Sequence, residues 1–252
     1  MKVFVSVDME GISGVTDPED VLPAGSEYQT CRRYMTGDAN AAIAGAYDAG
    51  AEAVLVNDSH WIMRNLLLHD LDKRAKVIKG FHKPLCMLQG LDDSYGAAVF
   101  VGYHSCAGTE GGVLNHTMLG KEVQNIYLNG EATGETRLNA GLAGHFGVPV
   151  ALVAGDVAVC AEAKRVLPLG GDRGGQGRDR QVFGRPQAPG GCPGGDPGGD
   201  GAGPEGQVGH ALCGQAADQD RGGMELDHDR RDLRAGAGRQ ADQLTVDGVH
   251  GD

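Results

Sequence analysis

Acidic and histidine side chains follow three strand-like runs of this sequence. Asp8 and Glu10 close the first apolar run, His60 ends a second run, and His104 ends a third. The carboxyl ends of parallel strands share one edge of a sheet, and ligands bind at that edge. Because carboxylates and imidazoles are metal-binding groups, their convergence predicts a metal site and favours a metal-dependent hydrolase.

The spacing of these four residues supports the prediction. Asp8 and Glu10 are two residues apart, so a regular strand directs both side chains to one face, where they can share one ion or serve two adjacent ions. The competing interpretation is a pair of solvated acids. A single histidine at the position of His60 or His104 would more often be a hydrogen-bonded surface residue, but two at equivalent strand ends favour ligation. Cys106 lies nearby, but a carboxylate-rich site rarely includes one thiolate.

Two further residues are weaker candidates. His116 lies in a glycine-containing segment after the His104 strand, and such loops place catalytic groups. It can be a third histidine ligand, a general acid or base, or an ordinary loop residue. Glu135 follows Gly134 at the start of a predicted helix, where a carboxylate can simply complement the helix dipole. No role is assigned to the other histidines before the tail, which are His69, His82 and His145.

The first 168 residues alternate between strand and helix patterns, which predicts an α/β fold of three layers, with a mostly parallel sheet and flanking helices. We expect strands at 3–7, 52–56, 76–78, 97–101 and 150–153, and helices at 38–49 and 135–146. An amphipathic segment is expected at 63–71 and the start of another helix at 84–88. A hairpin is predicted around Asn129-Gly130, because this pair suits a type I′ turn.

The chain changes character near Pro168. Gly fills 23 of the 83 residues from Gly170 onward, and Phe183 is the only aromatic residue there. Such a composition buries too little apolar surface to offset chain entropy, so residues 169–252 are expected to be disordered and residues 1–168 to form the metal-binding catalytic domain. The tail lacks the repetition of natural linkers. We interpret it as an out-of-frame translation, which sequencing the gene across this point would test, with a genuine disordered tail as the alternative.

Composition limits the possible partners of the protein, its cellular location and the state of its cysteines. A formal charge of −12 argues against nucleic acid or an anionic membrane as the main partner. No apolar run reaches the roughly 18 residues of a membrane-spanning helix, and the N-terminus lacks a signal-peptide pattern, so a cytoplasmic location is expected. The six cysteines form no CxxC pair and are predicted to be reduced thiols.

Five separated motifs in the first 168 residues resemble a known family. Their order and spacing are similar to those of the DppA-type D-aminopeptidases, which are zinc-dependent bacterial peptidases. The similarity runs from Lys2 to about Pro168. The motifs are residues 7–14 (VDMEGISG), 56–60 (VNDSH), 102–104 (GYH), Asn115-His116, and Gly134-Glu135 with Leu138-Asn139.

The resemblance implies a site for two zinc ions. Asp8 would bridge both ions. Glu10 and His60 would complete the protein ligands of one ion, and His104 and Glu135 those of the other. The resemblance also implies that His116 would be the catalytic residue beside the metals.

The resemblance also implies a reaction and an assembly. A zinc-activated water would attack the amide of a short peptide and release its N-terminal D-amino acid. Subunits would form a ring-shaped homo-oligomer with active sites facing an inner channel. The tail departs from the family, so an inactive metal-binding remnant is the first alternative. A metal-dependent phosphohydrolase is the second, although no GxxxxGK[ST] phosphate loop is present.

Overall fold

The computed structural model describes residues 1–167, 210–214 and 244–248. Its strands are β1 (Lys2–Val7), β2 (Ala53–Asp58), β3 (Lys76–Ile78), β4 (Tyr95–Tyr103), β5 (Val123–Leu128), β6 (Glu131–Thr133), β7 (Val150–Asp156), β8 (His210–Gly214) and β9 (Leu244–Gly248). Its α-helices are α1 (Pro18–Val21), α2 (Tyr28–Asp48), α3 (Glu135–His145) and α4 (Val157–Val166), and Cys86–Leu88 forms a 3-10 turn.

The main sheet has six strands in the order β3-β2-β1-β4-β7-β8. The first five are parallel to one another, and β8 pairs antiparallel with β7. This confirms the predicted α/β class. Since β1 lies between β2 and β4, the residues after all three strands meet at one edge of the sheet.

Alternation along β1 builds a core on each face of this sheet. Val5 packs with Met35 of α2 on one face. Phe4 packs with Ala143 of α3 and Val159 of α4 on the other face. All five side chains are fully buried. The three predicted layers are therefore present. Helices α3 and α4 cover the face of the sheet on which Phe4 lies, and α2 covers the opposite face.

Several element boundaries differ from the predicted ones. Helix α2 begins ten residues earlier, because Tyr28, Cys31 and Met35 bury one helical face despite the weak helix propensity of this stretch. The amphipathic segment expected at 63–71 consists of turns, in which Met63 has a φ of 55° and the main-chain N–H groups of Asn65 and Leu66 donate to Asp58. The helix expected from residue 84 is limited to the 3-10 turn, and α4 was not predicted.

A smaller sheet holds the predicted hairpin. Strands β5 and β6 pair antiparallel, and Asn129 and Gly130 between them have φ values of 55° and 83°, as a type I′ turn requires. Two short parts of the tail complete the sheets: β9 pairs with β5, and β8 with β7. The expectation of disorder for the rest of the tail concerns residues outside those described, and the division at residue 168 stays a prediction.

Two further expectations concern chemistry and location. Cys31, Cys86 and Cys106 are free thiols. The side chains of Cys192 and Cys213 lie outside the described part. Among the described helices, none combines the length and the apolar character needed to cross a bilayer.

Close backbone contacts hold the carboxyl edge of the main sheet together. Gly11 and Gly155 approach the carbonyl oxygen of Tyr103 so closely that a β-carbon at either position would lie far inside van der Waals contact. Gly102 has a φ of 70° and lies against the carbonyl oxygen of Asp8 in the same way. Because only glycine fits at such approaches, these positions determine how closely the ends of β1, β4 and β7 converge.

We expect Gly11→Ala to destabilise the fold by about 1–3 kcal/mol, since the new methyl group must displace main-chain atoms. Gly37→Ala is the matched control: this exposed position in α2 has no atom within 4 Å of a new β-carbon. Alanine there should stabilise the helix by about 0.5–1 kcal/mol. Urea unfolding measures both changes, and equal stability of Gly11→Ala and the wild type would contradict the proposed packing.

Candidate metal centre

Three carboxylates are buried together at the carboxyl edge of the main sheet. Asp8 and Glu10 follow β1, and Glu135 is the first residue of α3. Their exposed fractions are 3%, 5% and 5%. Burying like charges together is costly unless cations or hydrogen-bond donors face them.

Three imidazoles face these carboxylates, and each uses one ring nitrogen to donate to a main-chain carbonyl. The bonded pairs are His60 Nε2 with Val21 O at 2.9 Å, His104 Nδ1 with Ser105 O at 3.0 Å, and His116 Nδ1 with Leu114 O at 2.9 Å. A carbonyl only accepts, so these nitrogens carry hydrogen. The other nitrogen of each ring is thereby directed at the carboxylates, which is how metal-ligating histidines are oriented.

The second ring nitrogens of His60 and His104 form two groups with the carboxylate oxygens, and the two groups share Asp8. His60 Nδ1 lies 3.3 Å from Asp8 Oδ1 and 3.0 Å from Glu10 Oε2. His104 Nε2 lies 3.7 Å from Asp8 Oδ2 and 3.3 Å from Glu135 Oε1. In each group the possible ligand atoms lie within 4.8 Å of one another. Asp8 therefore presents one oxygen to each group.

The donor atoms of this site suit a divalent metal ion. His104 Nε2 is buried, makes no hydrogen bond, and faces carboxylate oxygens. A lone pair directed at other acceptors is unfavourable unless a proton or a metal ion lies between them. Nitrogen and carboxylate oxygen ligands at tetrahedral positions are the donors that zinc prefers.

The pKa values of the carboxylates diverge because their neighbours differ. Burial raises the pKa of Asp8 well above its usual value, and the charge of Glu10 raises it further. Burial also acts to raise the pKa of Glu10, but the charge and hydrogen bond of His60 outweigh it, so this pKa lies well below its usual value. For Glu135 the effect of burial is outweighed by His104, and the pKa is lowered.

The pKa values of two histidines shift in the opposite direction. Burial acts to lower the pKa of His60, but the charge of Glu10 and hydrogen bonds to Asp8 and Glu10 raise it well above its usual value. Burial likewise opposes the effect of Glu135 at His104, where the pKa is also raised well above the usual value. Both imidazoles therefore occupy a strongly negative environment that attracts cations.

His116 differs from the other two imidazoles in being accessible. Its side chain is 25% exposed, and its ring stacks on His104 with centroids 4.0 Å apart. Its Nε2 lies 3.8 Å from Glu10 Oε1 and 3.9 Å from Glu135 Oε1. Glu10, His104 and His116 form a third group that could hold an ion. This geometry is compatible with two of the three sequence-based interpretations of His116, a third histidine ligand and a general acid or base.

The six residues predicted from the sequence lie together, while their individual roles stay predictions. Among the described residues, the three groups that could hold a metal ion contain neither Cys106 nor any of His69, His82 and His145. His69, for example, lies on the surface, 3.3 Å from Asp70.

Two residues that support His60 were not identified from the sequence. Asp58 accepts hydrogen bonds from Asn65 N at 2.6 Å and Leu66 N at 2.7 Å, and Asn65 Nδ2 donates to Asp58 Oδ1 at 2.8 Å. Asn65 Nδ2 also donates to the carbonyl of His60 at 2.7 Å. Asp58 is the last residue of β2, and its partners Asn65 and Leu66 lie seven and eight residues further along the chain.

Asp156 supports the segment that carries His116 and was also missed. Its Oδ2 accepts from Val113 N at 2.6 Å, and its Oδ1 accepts from Val159 N at 2.7 Å as the N-cap of α4. Its position after a predicted strand was the only signal in the sequence. Glu135 is tied to the same segment, since its Oε1 accepts from Met118 N at 2.8 Å.

Comparisons with known proteins agree on one family. The family model of the M55 peptidases, described as D-aminopeptidase, matches residues 1–171. A D-aminopeptidase of Bacillus subtilis strain 168 is 45% identical over 168 residues. A solved structure described as a Zn-dependent D-aminopeptidase, DppA from Bacillus subtilis, a self-compartmentalizing protease, is similar with a TM-score of 0.65 and 45% identity.

These similarities cover the described N-terminal part of the chain. They include 67% of this chain and 61% of the curated relative, and the same shares hold for the solved structure. The chain thus spans about three-fifths of the length of the relatives it matches.

We expect Asp156→Ala to release the segment that carries His116, because the bond to Val113 N is lost. The same change removes the N-cap of α4, which lowers the free energy of unfolding by about 1 kcal/mol. Asp156→Ser separates the two effects, because serine can cap the helix but is too short to keep the bond to Val113 N as well. Hydrogen exchange by mass spectrometry should show faster exchange around Val113 in both variants, and in α4 only for alanine. Unchanged protection around Val113 would contradict this role.

Proposed function

This chain belongs to the D-aminopeptidase family, and on that basis we propose that it is a dinuclear zinc aminopeptidase that removes N-terminal D-amino acids from short peptides. The proposal depends most on one observation: the two oxygens of Asp8 face two separate groups of possible ligands. A bridging carboxylate with a histidine and a second carboxylate on each side is a suitable ligand set for two neighbouring divalent ions.

In this proposal Asp8 would be a ligand of both ions. Glu10 and His60 would complete the protein ligands of one ion, and His104 and Glu135 those of the other. The protein would provide two carboxylates and one imidazole to each ion, a set that would leave room for water or substrate. Zinc bound there would supply Lewis acidity, lowering the pKa of a water molecule and polarising the carbonyl of the scissile amide.

His116 is proposed as the catalytic residue of the chain itself. Its Nδ1 is held by the carbonyl of Leu114, so Nε2 is the atom that faces the site. That atom can hold a proton and pass it to the leaving amine, or donate a hydrogen bond to the oxygen that gains negative charge. Partial exposure suits this role, since a group that meets the substrate must be reachable from solvent.

The substrate class and the assembly come from the relatives. Specificity for the D configuration is proposed because the matching family and the curated relative are both described as D-aminopeptidases. A ring-shaped homo-oligomer is proposed because the similar solved structure is described as self-compartmentalizing. In such a particle only short peptides would reach the sites.

A second candidate is a protein that binds zinc without turnover. It is favoured by the observation that the family match covers residues 1–171 and not the rest of the chain. A supporting wall displaced by about 1 Å can remove most of the rate while the ligands persist.

Zinc content, particle mass and substrate preference test the proposed function together. We expect two zinc ions per chain by mass spectrometry of the metal, an oligomer by size-exclusion chromatography with light scattering, and cleavage of D-Ala-D-Ala in preference to L-Ala-L-Ala. Two ions without cleavage of either peptide would support the second candidate. Preference for a phosphate ester would contradict an aminopeptidase.

His116→Ala should keep both zinc ions and lower kcat by about 10²–10⁴-fold, the usual contribution of a positioned acid or base. His69→Ala is the matched control, because it removes an exposed imidazole beside Asp70 and should leave kcat unchanged. Zinc content and kcat are measured on both variants. Full activity of His116→Ala would contradict the catalytic role, and loss of an ion would make His116 a ligand instead.

A further inference from the structure

We propose that four buried polar side chains beneath the metal centre act as positioning residues that fix the separation of the two metal groups. These side chains, which we call the floor network, are Ser6, Ser59, Tyr103 and Asn139. The proposal rests on the proposed function, because it assumes two ions bridged by Asp8. It concerns residues that do not touch the ions and that act through the ligands.

Hydrogen bonds connect the four side chains in one chain. Asn139 Nδ2 donates to Tyr103 Oη at 3.1 Å, Tyr103 Oη lies 2.8 Å from Ser6 Oγ, and Ser6 Oγ lies 2.7 Å from Ser59 Oγ. Ser6 and Tyr103 have no exposed surface, and Ser59 and Asn139 are 4% and 5% exposed. Since water has little access to them, each of these groups depends on the others for its hydrogen bonds.

The 3-10 turn anchors the floor network from below. The carbonyl of Met87 accepts from Ser6 Oγ at 2.9 Å and from Ser59 Oγ at 3.2 Å. Asn139 Nδ2 also contacts Met87 Sδ at 3.0 Å. The amide of Asn139 donates to Tyr103, and the serine hydroxyls can donate to Met87 O, while either hydroxyl can donate in the Tyr103–Ser6 and Ser6–Ser59 bonds.

Each member of the floor network lies within four residues of a proposed ligand in the sequence. The pairs are Ser6 with Asp8 two residues later, Ser59 with His60, Tyr103 with His104, and Asn139 with Glu135 one helical turn earlier. Residues two apart on a strand share a face, and so do residues four apart on a helix. Each member can therefore act on a proposed ligand through at most four residues of main chain.

The connections within the network match the two metal groups. The Tyr103–Asn139 bond joins the end of β4 to α3, the two elements that carry His104 and Glu135. The Ser6–Ser59 bond joins β1 to the end of β2, after which His60 follows. The Ser6–Tyr103 bond joins these two halves. Tyr103 is therefore the member whose hydroxyl holds one metal group relative to the other.

A role in positioning differs measurably from a role in stability alone. Loss of a hydrogen bond that orients metal ligands typically weakens metal binding or activity 10–100-fold. A hydroxyl that only stabilises the fold would lower the unfolding midpoint without changing zinc affinity or the electronic spectrum of a metal in the site. Zinc affinity and the visible absorption of the cobalt-substituted protein therefore separate the two roles.

Tyr103→Phe tests the proposal in the full chain, because it removes the hydroxyl and keeps the ring. We expect the affinity for at least one of the two zinc ions to fall 10–100-fold in competition with a chromophoric chelator, and the cobalt absorption bands to shift. Tyr47→Phe is the matched control: it removes a hydroxyl that donates to Arg74 O at 2.8 Å, near the end of α2 and away from the ligands. Its zinc affinity and cobalt spectrum should equal those of the wild type.

The outcomes are distinct. If the wild type binds two ions and Tyr103→Phe keeps the same zinc affinity and cobalt spectrum, this proposal is wrong and the proposed function is unaffected. Wild-type protein that binds fewer than two ions contradicts the proposed function itself. If Tyr103→Phe does not fold, Ser59→Ala tests the His60 side of the network, because it removes the bonds of the Ser59 hydroxyl to Ser6 Oγ, Met87 O and Asn57 O. That variant should weaken zinc binding at least tenfold, and unchanged binding would overturn the proposal.

Discussion

The burial of three carboxylates against three imidazoles is the constraint on which the rest of this structure depends. Burying Asp8, Glu10 and Glu135 together is costly unless cations or hydrogen-bond donors face them. Each facing histidine has one ring nitrogen bonded to a main-chain carbonyl, which directs its other nitrogen at the acids. The ring orientations are thereby fixed before any ion binds, and the free nitrogens face the acids. A divalent ion in each group would satisfy both the acids and the imidazoles.

The fold meets this constraint by bringing backbones close together at one edge of the sheet. Glycines at positions 11, 102 and 155 allow the ends of three parallel strands to approach within contact distance. Buried polar side chains then join these ends to each other and to α3. Asp58 and Asp156 perform a similar function for the segments that carry His60 and His116. The proposed ligands are thus held in place by main-chain contacts and by neighbouring buried side chains.

Part of the site was readable from the sequence because parallel strands obey simple rules. Strand ends share an edge, so Asp8, Glu10, His60 and His104 could be grouped from their positions alone. Glu135 could not, since an acid at a helix start has an ordinary explanation, and only the family resemblance selected it. The supporting residues were missed because their partners are distant in sequence, as with Asp156 and Val113. The start of α2 was missed because burial of its apolar face outweighs weak local propensity.

The central claim is that two zinc ions share Asp8. Anomalous diffraction at the zinc edge from crystals of the zinc-loaded protein tests it most directly. We expect two anomalous peaks about 3.5–4 Å apart, one beside each oxygen of Asp8. A single peak, or two peaks that do not share Asp8, would contradict it.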